Sequence, residues 1–317
     1  MQKNQGNVKD VSGLEDYFEN AEGIGFQATN LGRARAILSG IKAEKEKGKT
    51  TVYLGFTANM VASGARGMIA ALVESGLADV VVTTAGAIEH DIIKAHEPYL
   101  IGDFDVDDAQ LHKKEINRIG NVFVPTQRYV LFERIFNRVT PSCVQKHGDM
   151  ISPSEFAREC GEYIGANKKD KHSFLMHCTQ KDVPVFCPGI TDGAIGLQTY
   201  FYKQKNRKFG IDVTKDMKAL ADITLNADST SAIILGGGIS KHHIIGVNIL
   251  RGGLDRAVYL TTAAEWDGSL SGAKTREAIS WGKIREKSSH AHVYGDVTIN
   301  LPMLMHGIIK TEGRGRA

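Results

Sequence analysis

The feature that most constrains the fold is a series of short, continuously apolar segments that alternate with longer segments of helical pattern. The apolar segments are rich in β-branched residues and do not alternate with polar ones, which is typical of strands buried on both faces. Strands that alternate with helices form mostly parallel sheets through right-handed crossovers. The sequence therefore predicts an α/β fold: a doubly wound, mostly parallel, Rossmann-like sheet with helices on both faces.

The predicted elements cover most of the chain. The strands are Thr51–Phe56, Asp79–Thr84, Val183–Cys187, Ala232–Leu235, Ala257–Thr262 and His292–Asp296. The helices are Asn59–Ser75, Ile88–His96, Thr214–Asn226, Lys241–Arg251 and Thr275–Ile284. Residues 1–20 are polar and predict an N-terminal arm or a short helix with a loose start. Residues 21–317 are expected to form one domain.

Small and hydroxyl-bearing residues follow five of the predicted strands. They are Thr57-Ala58-Asn59, Thr84-Ala85-Gly86, the run Pro188 to Gly193, Gly236-Gly237-Gly238 and Thr262-Ala263. In an open parallel sheet the ligand crevice lies at the carboxyl ends of the strands, where helix N-termini donate hydrogen bonds to phosphate. The pattern predicts a nucleotide site. The run from Gly268 to Thr275 has only three residues between its glycines and an alanine before its lysine, so it is not a P-loop, and a kinase or ATPase is excluded.

Composition excludes several other classes of protein. The formal charge is only +3, from 39 basic and 36 acidic residues, so neither a nucleic-acid partner nor a membrane partner is expected. No apolar run reaches the ~18 residues of a membrane span, and the first residues lack a signal core. The four cysteines do not form a CxxC pair, so neither a zinc site nor a disulfide framework is expected. These features predict a cytoplasmic protein without a metal site.

One lysine stands in unusual surroundings. Lys283 ends the run Glu277-Ala278-Ile279-Ser280-Trp281-Gly282-Lys283. Burial disfavours an ammonium, lowers its pKa and makes the amine a nucleophile that can form a Schiff base. Trp281 can present its ring to a substrate cation. The alternative is a surface lysine whose stem covers a core tryptophan, and these residues alone leave both interpretations open.

Seven segments together make the sequence similar to deoxyhypusine synthases from about Gly32 to Pro302. They are Thr57–Gly64 (TANMVASG), Val82–Lys94 (VTTAGAIEHDIIK), Asn117–Pro125 (NRIGNVFVP), Phe186–Gly196 (FCPGITDGAIG), Leu235–His243 (LGGGISKHH), Glu265–Gly268 (EWDG) and Glu277–Ile284 (EAISWGKI). The resemblance implies an NAD-dependent transfer of an aminobutyl group from spermidine, through an imine on a lysine, to a lysine of the hypusine-bearing translation factor. It also implies a homotetramer with its sites at dimer interfaces.

The resemblance also implies roles for individual residues. Lys283 is expected to form the imine, Trp281 to lie along the methylenes of the small-molecule amine, and His242 to face its nitrogen. Glu89 and Glu277 are expected to contact the substrate. The expected NAD contacts are Ala58, Asn59, Thr84, Ala85, Gly86, Asp192, Gly237, Thr262, Ala263 and Asp296. The residues by themselves also allow a turn or N-cap role for Asp192, a tight turn at Gly236–Gly238, and packing for His242.

Three positions depart from the family pattern, which has acidic residues where this chain has His90, Leu197 and Leu270. The family uses those carboxylates to hold the cationic amines of spermidine. A charge pair at ~4 Å is worth about 4 kcal/mol at an effective dielectric of about 20, so their loss favours a less highly charged or differently shaped amine. His90 is expected to act as a general base or substrate contact, with a neutral filler as the alternative.

Two other functions therefore stay open. One is a transfer between small amines of the homospermidine-synthase type, with a donor other than spermidine. The other is a catalytically weak NAD-binding paralogue that stabilises an active partner. The presence of Lys283 disfavours the second, because an inactive subunit does not need its nucleophile.

Overall fold

The computed structural model describes residues 12–309, which fall into two compact units. Within this range the first unit comprises residues 12–56, 75–82 and 220–309, and the second comprises residues 57–74 and 83–219. The strands are β1 (Thr51–Phe56), β2 (Val80–Val82), β3 (Leu100–Ile101), β4 (Ile116–Ile119), β5 (Val122–Pro125), β6 (Met150–Ile151), β7 (Val185–Phe186), β8 (Gly210–Ile211), β9 (Thr230–Leu235), β10 (Leu254–Thr261) and β11 (Ile284–Tyr294).

The helices fill most of the chain between the strands. They are α1 (Leu14–Ile24), α2 (Phe26–Lys45), α3 (Ala58–Ala62), α4 (Arg66–Glu74), α5 (Ala85–Lys94), α6 (Asp108–Lys113), α7 (Gln127–His147), α8 (Pro153–Asn167), α9 (Phe174–Gln180), α10 (Ala194–Lys205), α11 (Val213–Leu225), α12 (Gly238–Val247), α13 (Thr275–Ser280) and α14 (Val297–Met305). Single 3-10 turns occur at Asn248–Arg251 and Glu265–Asp267.

The strands of the first unit lie side by side in the order β11-β10-β9-β1-β2, and each neighbouring pair is parallel. Every residue of β9 is buried, as are all but the first residue of β1, which accounts for their continuous apolar sequence. The chain proceeds from β1 to β2 on one side and from β9 to β10 on the other. The strand order therefore reverses between β1 and β9, and in open α/β sheets ligands bind beside such a reversal.

Helices cover both faces of these strands. Arg256 and Tyr259 of β10 are three residues apart, so their side chains point to opposite faces. Arg256 forms an ion pair with Glu44 of α2, whereas Tyr259 packs under Lys241 of α12, whose Nζ lies 4.5 Å from the ring centroid. The prediction of an α/β fold with a mostly parallel sheet between helices is confirmed.

The second unit contains mostly helices, with a small antiparallel sheet of order β3-β5-β4 and a parallel pair, β6 and β8. A buried carboxylate on α5, Asp91, connects three of its helices. One oxygen accepts from Arg66 Nε of α4 at 2.5 Å, and the other accepts from Ser173 Oγ at 2.7 Å and from the backbone N–H of Leu175 in α9 at 3.0 Å. A buried charge with this many partners fixes the helices relative to one another, because removing a partner would leave a charge uncompensated.

Several predicted elements differ from the structure: α12 spans Gly238–Val247 rather than Lys241–Arg251, and β11 begins at Ile284 rather than at His292. The segment Asn59–Ser75 is divided into α3 and α4 around Ser63-Gly64-Ala65, and the last predicted helix ends at Ser280 because Gly282 adopts a positive φ of 66°. In the predicted arm, α1 begins at Leu14 and passes beyond residue 20, while residues 1–11 lie outside the described range. One domain over residues 21–317 stays a prediction. Across residues 12–309, no helix combines the length and apolar character needed to cross a membrane.

Candidate functional site

A pocket of about 340 Å³ in the first unit contains the lysine that the sequence singled out. We call it the Lys283 pocket. It is lined by Lys241, His242, Ile245, Leu270, Ala273, Lys274, Glu277, Ala278, Trp281 and Lys283. Four of the predicted catalytic and substrate residues therefore share one cavity: Lys283, His242, Trp281 and Glu277. They come from α12, α13 and the turn before β11.

Lys283 is fixed at the start of β11 by backbone hydrogen bonds on both sides. Its N–H donates to the carbonyl of Ala278 at 2.9 Å, and its carbonyl accepts from Leu254 at 3.1 Å. The turn between α13 and β11 needs Gly282, whose positive φ an L side chain rarely adopts. The turn directs the lysine into the pocket, where it is only 9% exposed. The structure therefore contradicts the alternative of a surface lysine.

The Lys283 amine has two close neighbours. Its Nζ lies 3.5 Å from His242 Nε2 and 5.1 Å from the centre of the Trp281 ring. Trp281 lines the pocket and is 67% exposed, so its ring lies at the surface and not in the core. An imidazole at this distance can exchange a proton with the amine, and the aromatic face can contact a cationic substrate.

The predicted dinucleotide residues of the first unit lie at the carboxyl ends of three adjacent parallel strands. Gly237 follows β9, Thr262 and Ala263 follow β10, and Asp296 follows β11. A Cβ on Gly237 would lie 2.4 Å from Ser271 Cα, so only glycine fits. Asp296 also caps α14, because its Oδ1 accepts from the N–H of Thr298 at 2.7 Å.

The other predicted dinucleotide residues lie in the second unit, at the starts of helices. Ala58 and Asn59 begin α3, and Ala85 and Gly86 follow Thr84 at the start of α5. The Thr84 hydroxyl is buried without a hydrogen-bond partner, and a Cβ on Gly86 would lie 2.9 Å from that of Ala58. Asp192 is exposed in the loop before α10. An orphaned hydroxyl beside a helix N-terminus and a backbone too close for side chains both suit a phosphate or ribose.

Glu89 and His90 are buried neighbours on α5. A Glu89 oxygen accepts from the N–H of Ile195 in the first turn of α10 at 2.7 Å, so this carboxyl caps a helix. Burial raises the pKa of Glu89 to about 7. His90 Nδ1 shares a hydrogen bond of 2.8 Å with Tyr99 Oη, and burial lowers the pKa of His90 to about 4. A histidine with that pKa is a weak base at neutral pH, so this geometry favours hydrogen bonding as its role.

Two lysines that make several hydrogen bonds, Lys241 and Lys94, were not identified from the sequence. Lys241 lines the Lys283 pocket and is 1% exposed. Lys94 donates to the carbonyls of Val61, Ala62 and Ser63 at 2.9, 2.8 and 2.6 Å, which holds the end of α3. Each depends on carbonyls distant in the sequence, so spacing could not reveal it. Residues 12–309 contain no cluster of three or more side chains suited to hold a metal ion.

Comparisons with known proteins agree with one another. A family model described as deoxyhypusine synthase matches residues 16–308. A Thermococcus kodakarensis protein named "probable deoxyhypusine synthase" is 44% identical over 312 residues, covering 96% of this chain and 92% of that protein. A Methanocaldococcus jannaschii protein of the same name is 43% identical over 296 residues, covering 90% of each. A crystal structure assigned to the same enzyme of Entamoeba histolytica shares the fold, with a TM-score of 0.68, 24% identity, and 95% and 94% of the chains covered.

Proposed function

Because the chain belongs to the deoxyhypusine synthase family, we propose that it is an NAD-dependent transferase that moves an aminobutyl-type group from an amine donor, through an imine on Lys283, to a lysine of the hypusine-bearing translation factor. Members of this family are transferases of hypusine biosynthesis that use a dinucleotide, so the prediction of a transferase is confirmed. The identity of the dinucleotide, the mechanism and the acceptor are the proposal.

The observation that carries the proposal is the position of the Lys283 amine. It is nearly enclosed, 3.5 Å from an imidazole nitrogen and beside an aromatic ring, in a cavity that can hold a small amine. A lysine must lose its proton before it can attack carbon, and His242 Nε2 is placed to accept that proton. Trp281 can pack along the methylenes of the donor while Glu277 attracts its free ammonium.

In each group-transfer step of the proposed reaction, one C–N bond forms and another breaks. A dinucleotide held beside the pocket would supply an acceptor for the hydride from the donor carbon next to nitrogen, and would return it to the same carbon once that carbon is joined to the acceptor lysine. The Lys283 amine attacks the resulting imine carbon and forms a new C–N bond, and the remainder of the donor leaves as an amine. The acceptor lysine then attacks the same carbon, and the bond to Lys283 breaks. Two such exchanges leave Lys283 unchanged.

The residues at the strand and helix ends fit a dinucleotide. Gly237 leaves its backbone free for a pyrophosphate, since no side chain fits there, and the buried Thr84 hydroxyl lacks a partner. We propose NAD as the cofactor. In the first unit its proposed contacts are Gly237, Thr262, Ala263 and Asp296. The family resemblance also implies contacts at Ala58, Asn59, Thr84, Ala85, Gly86 and Asp192.

The charge of the Lys283 pocket favours a donor with fewer cationic groups than spermidine. Lys241, Lys274 and Lys283 line it together with one carboxylate, Glu277. Leu270 adds an apolar wall at a position where the family has an acidic residue. A diamine or guanidino-amine matches this better than a polycation. The same pocket would also serve transfer between small amines, which is the second candidate function.

Trapping the imine tests the proposal. Purified protein is incubated with NAD and, in turn, with spermidine, putrescine or agmatine, then reduced with borohydride and mapped by mass spectrometry. We expect a stable adduct on Lys283 with at least one amine. Lys283→Ala should lose the adduct and keep NAD binding, while Lys287→Met, at an exposed lysine of β11, should behave as the wild type.

The outcomes separate the alternatives. Transfer of the trapped group to the translation factor supports the proposal, whereas transfer only to free amines identifies the homospermidine-synthase type. An adduct on another lysine would disprove the assignment of Lys283. Bound NAD without an adduct from any amine would identify the catalytically weak paralogue.

A further inference from the structure

Residues 270–273, which we call the wall segment, form one side of the Lys283 pocket through Leu270 and Ala273. The segment is in close contact with the residues that follow β10. A Cβ on Gly272 would lie 1.8 Å from the carbonyl oxygen of Ala264. A small displacement of this segment would therefore change the shape of the pocket directly.

Three hydrogen bonds and one close backbone approach join the wall segment to the start of α12. Lys241 Nζ donates to the carbonyls of Leu270 at 2.7 Å and Ala273 at 2.6 Å. The N–H of Gly238 donates to Ser271 Oγ at 3.0 Å. The backbone of Gly237 touches Ser271 so closely that no Cβ fits between them. The glycine turn assigned to the dinucleotide therefore contacts the wall of the pocket assigned to the amine.

Lys241 supplies two of the three hydrogen bonds and is not a second nucleophile. It is 1% exposed, its ammonium donates to two carbonyls, and it lies over the Tyr259 ring. The two carbonyls hold the ammonium, so its nitrogen is not free to attack a substrate carbon. Removing the amine would leave two carbonyls without their donor, and buried carbonyls are costly to leave unpaired. The side chain therefore holds the wall segment in place.

We propose that Lys241 is a positioning residue that couples occupancy of the glycine turn Gly236–Gly238 to the shape of the Lys283 pocket. This rests on the proposed function, in which the turn holds NAD and the pocket holds the amine. A ligand that fixes the turn also fixes the wall segment through Lys241 and Ser271, so the amine binds more tightly. Such coupling is reciprocal, and the amine tightens the dinucleotide by the same factor.

Binding measurements with NADH test the coupling without turnover, because the reduced dinucleotide cannot accept a hydride. The affinities of spermidine, putrescine and agmatine are measured by calorimetry, with and without saturating NADH. For the amine that forms the adduct, we expect NADH to tighten binding at least about fivefold in the wild type. In Lys241→Met the gain should fall below about twofold, with NADH affinity itself changed less than threefold.

A second variant allows the test to be made even if the Lys241→Met protein does not fold. Ser271→Ala removes only the Gly238 hydrogen bond and should reduce the gain partially, while Lys287→Met should retain it. Full coupling in Lys241→Met would overturn the inference. Bound NADH with no effect on amine affinity in the wild type would overturn the coupling alone, whereas a wild type that does not bind NADH would overturn the proposed function.

Discussion

At the scale of residues, burial sets the protonation of two adjacent side chains in opposite directions. Glu89 and His90 are 4% and 5% exposed, and in each case burial disfavours the charged form. The pKa of Glu89 therefore rises to about 7, and that of His90 falls to about 4. Near neutral pH, His90 is uncharged and Glu89 is divided between its two forms.

Replacing Glu89 by glutamine should change how stability depends on pH. The folded-state pKa of about 7 exceeds the ordinary value of 4.5, so the contribution of Glu89 to stability is complete below pH 4.5 and is lost as the pH rises through 7. Glutamine stays neutral and can still accept from Ile195. At pH 8, Glu89→Gln should be more stable than the wild type by on the order of 2 kcal/mol, and at pH 5 the two should be similar.

Urea unfolding at pH 5 and pH 8 measures this difference. The control is Glu74→Gln, at an exposed glutamate that ends α4, which should differ from the wild type by less than about 0.5 kcal/mol at both values. A variant less stable than the wild type at pH 8 would show that the hydrogen bonds of the ionised carboxylate outweigh its burial.

At the scale of elements, the short helix α3 depends on a lysine from another helix. α3 has five residues, too few to be stable alone, and carries Ala58 and Asn59 at its start. The three carbonyls at its end receive the Nζ of Lys94 from α5. Lys94 therefore holds in place the helix that carries two proposed dinucleotide contacts.

Lys94→Met should destabilise the protein and weaken NAD binding together. The methionine fills a similar volume but donates no hydrogen bonds, so we expect a loss of about 1.5–3 kcal/mol in the free energy of unfolding. The Kd for NAD, measured by calorimetry on folded protein, should rise at least fivefold. Lys113→Met, at an exposed lysine of α6, should leave both quantities unchanged. An unchanged Kd would mean that α3 does not contribute to the dinucleotide site.

At the scale of the whole molecule, an exposed apolar face on α10 agrees with self-association. Leu197, Tyr200 and Phe201 are 54%, 58% and 51% exposed, and their i, i+3 and i+4 spacing places them on one side of the helix. Contiguous apolar surface of this kind marks interaction sites. One of the three, Leu197, stands where the family has an acidic residue.

The assembled mass should be four times the chain mass of 34.5 kDa. Phe201→Glu, which places a charge on the apolar face, should lower the mass measured by light scattering to that of a dimer or a single chain. Lys113→Glu, which also makes the chain more negative but at an exposed lysine of α6, should leave it unchanged. A wild type that elutes as a single chain would contradict the tetramer, and a tetrameric Phe201→Glu would exclude this face as its interface.

Much of the fold and part of the site follow from local sequence. β-branched runs determined the parallel strands, and glycines and hydroxyl residues marked their carboxyl ends. The run ending in Trp281-Gly282-Lys283 identified the lysine that lines the pocket. These properties are local, because backbone preference and apolar spacing depend on neighbouring residues. Helix ends were less predictable. The sequence pattern predicts a helix through Ile284, but α13 ends at Ser280 because Gly282 adopts a positive φ.

Tertiary structure alone decided which side chains meet and which charges are buried. Packing brings His242 within 3.5 Å of Lys283 although 41 positions separate them, and seats Lys241 on carbonyls 29 and 32 residues away. The protonation of Glu89 and His90 likewise depends on how completely other elements cover α5. Segments that are remote in the chain bury these side chains and supply their hydrogen-bond partners. Neighbouring residues in the sequence therefore do not determine their protonation or contacts.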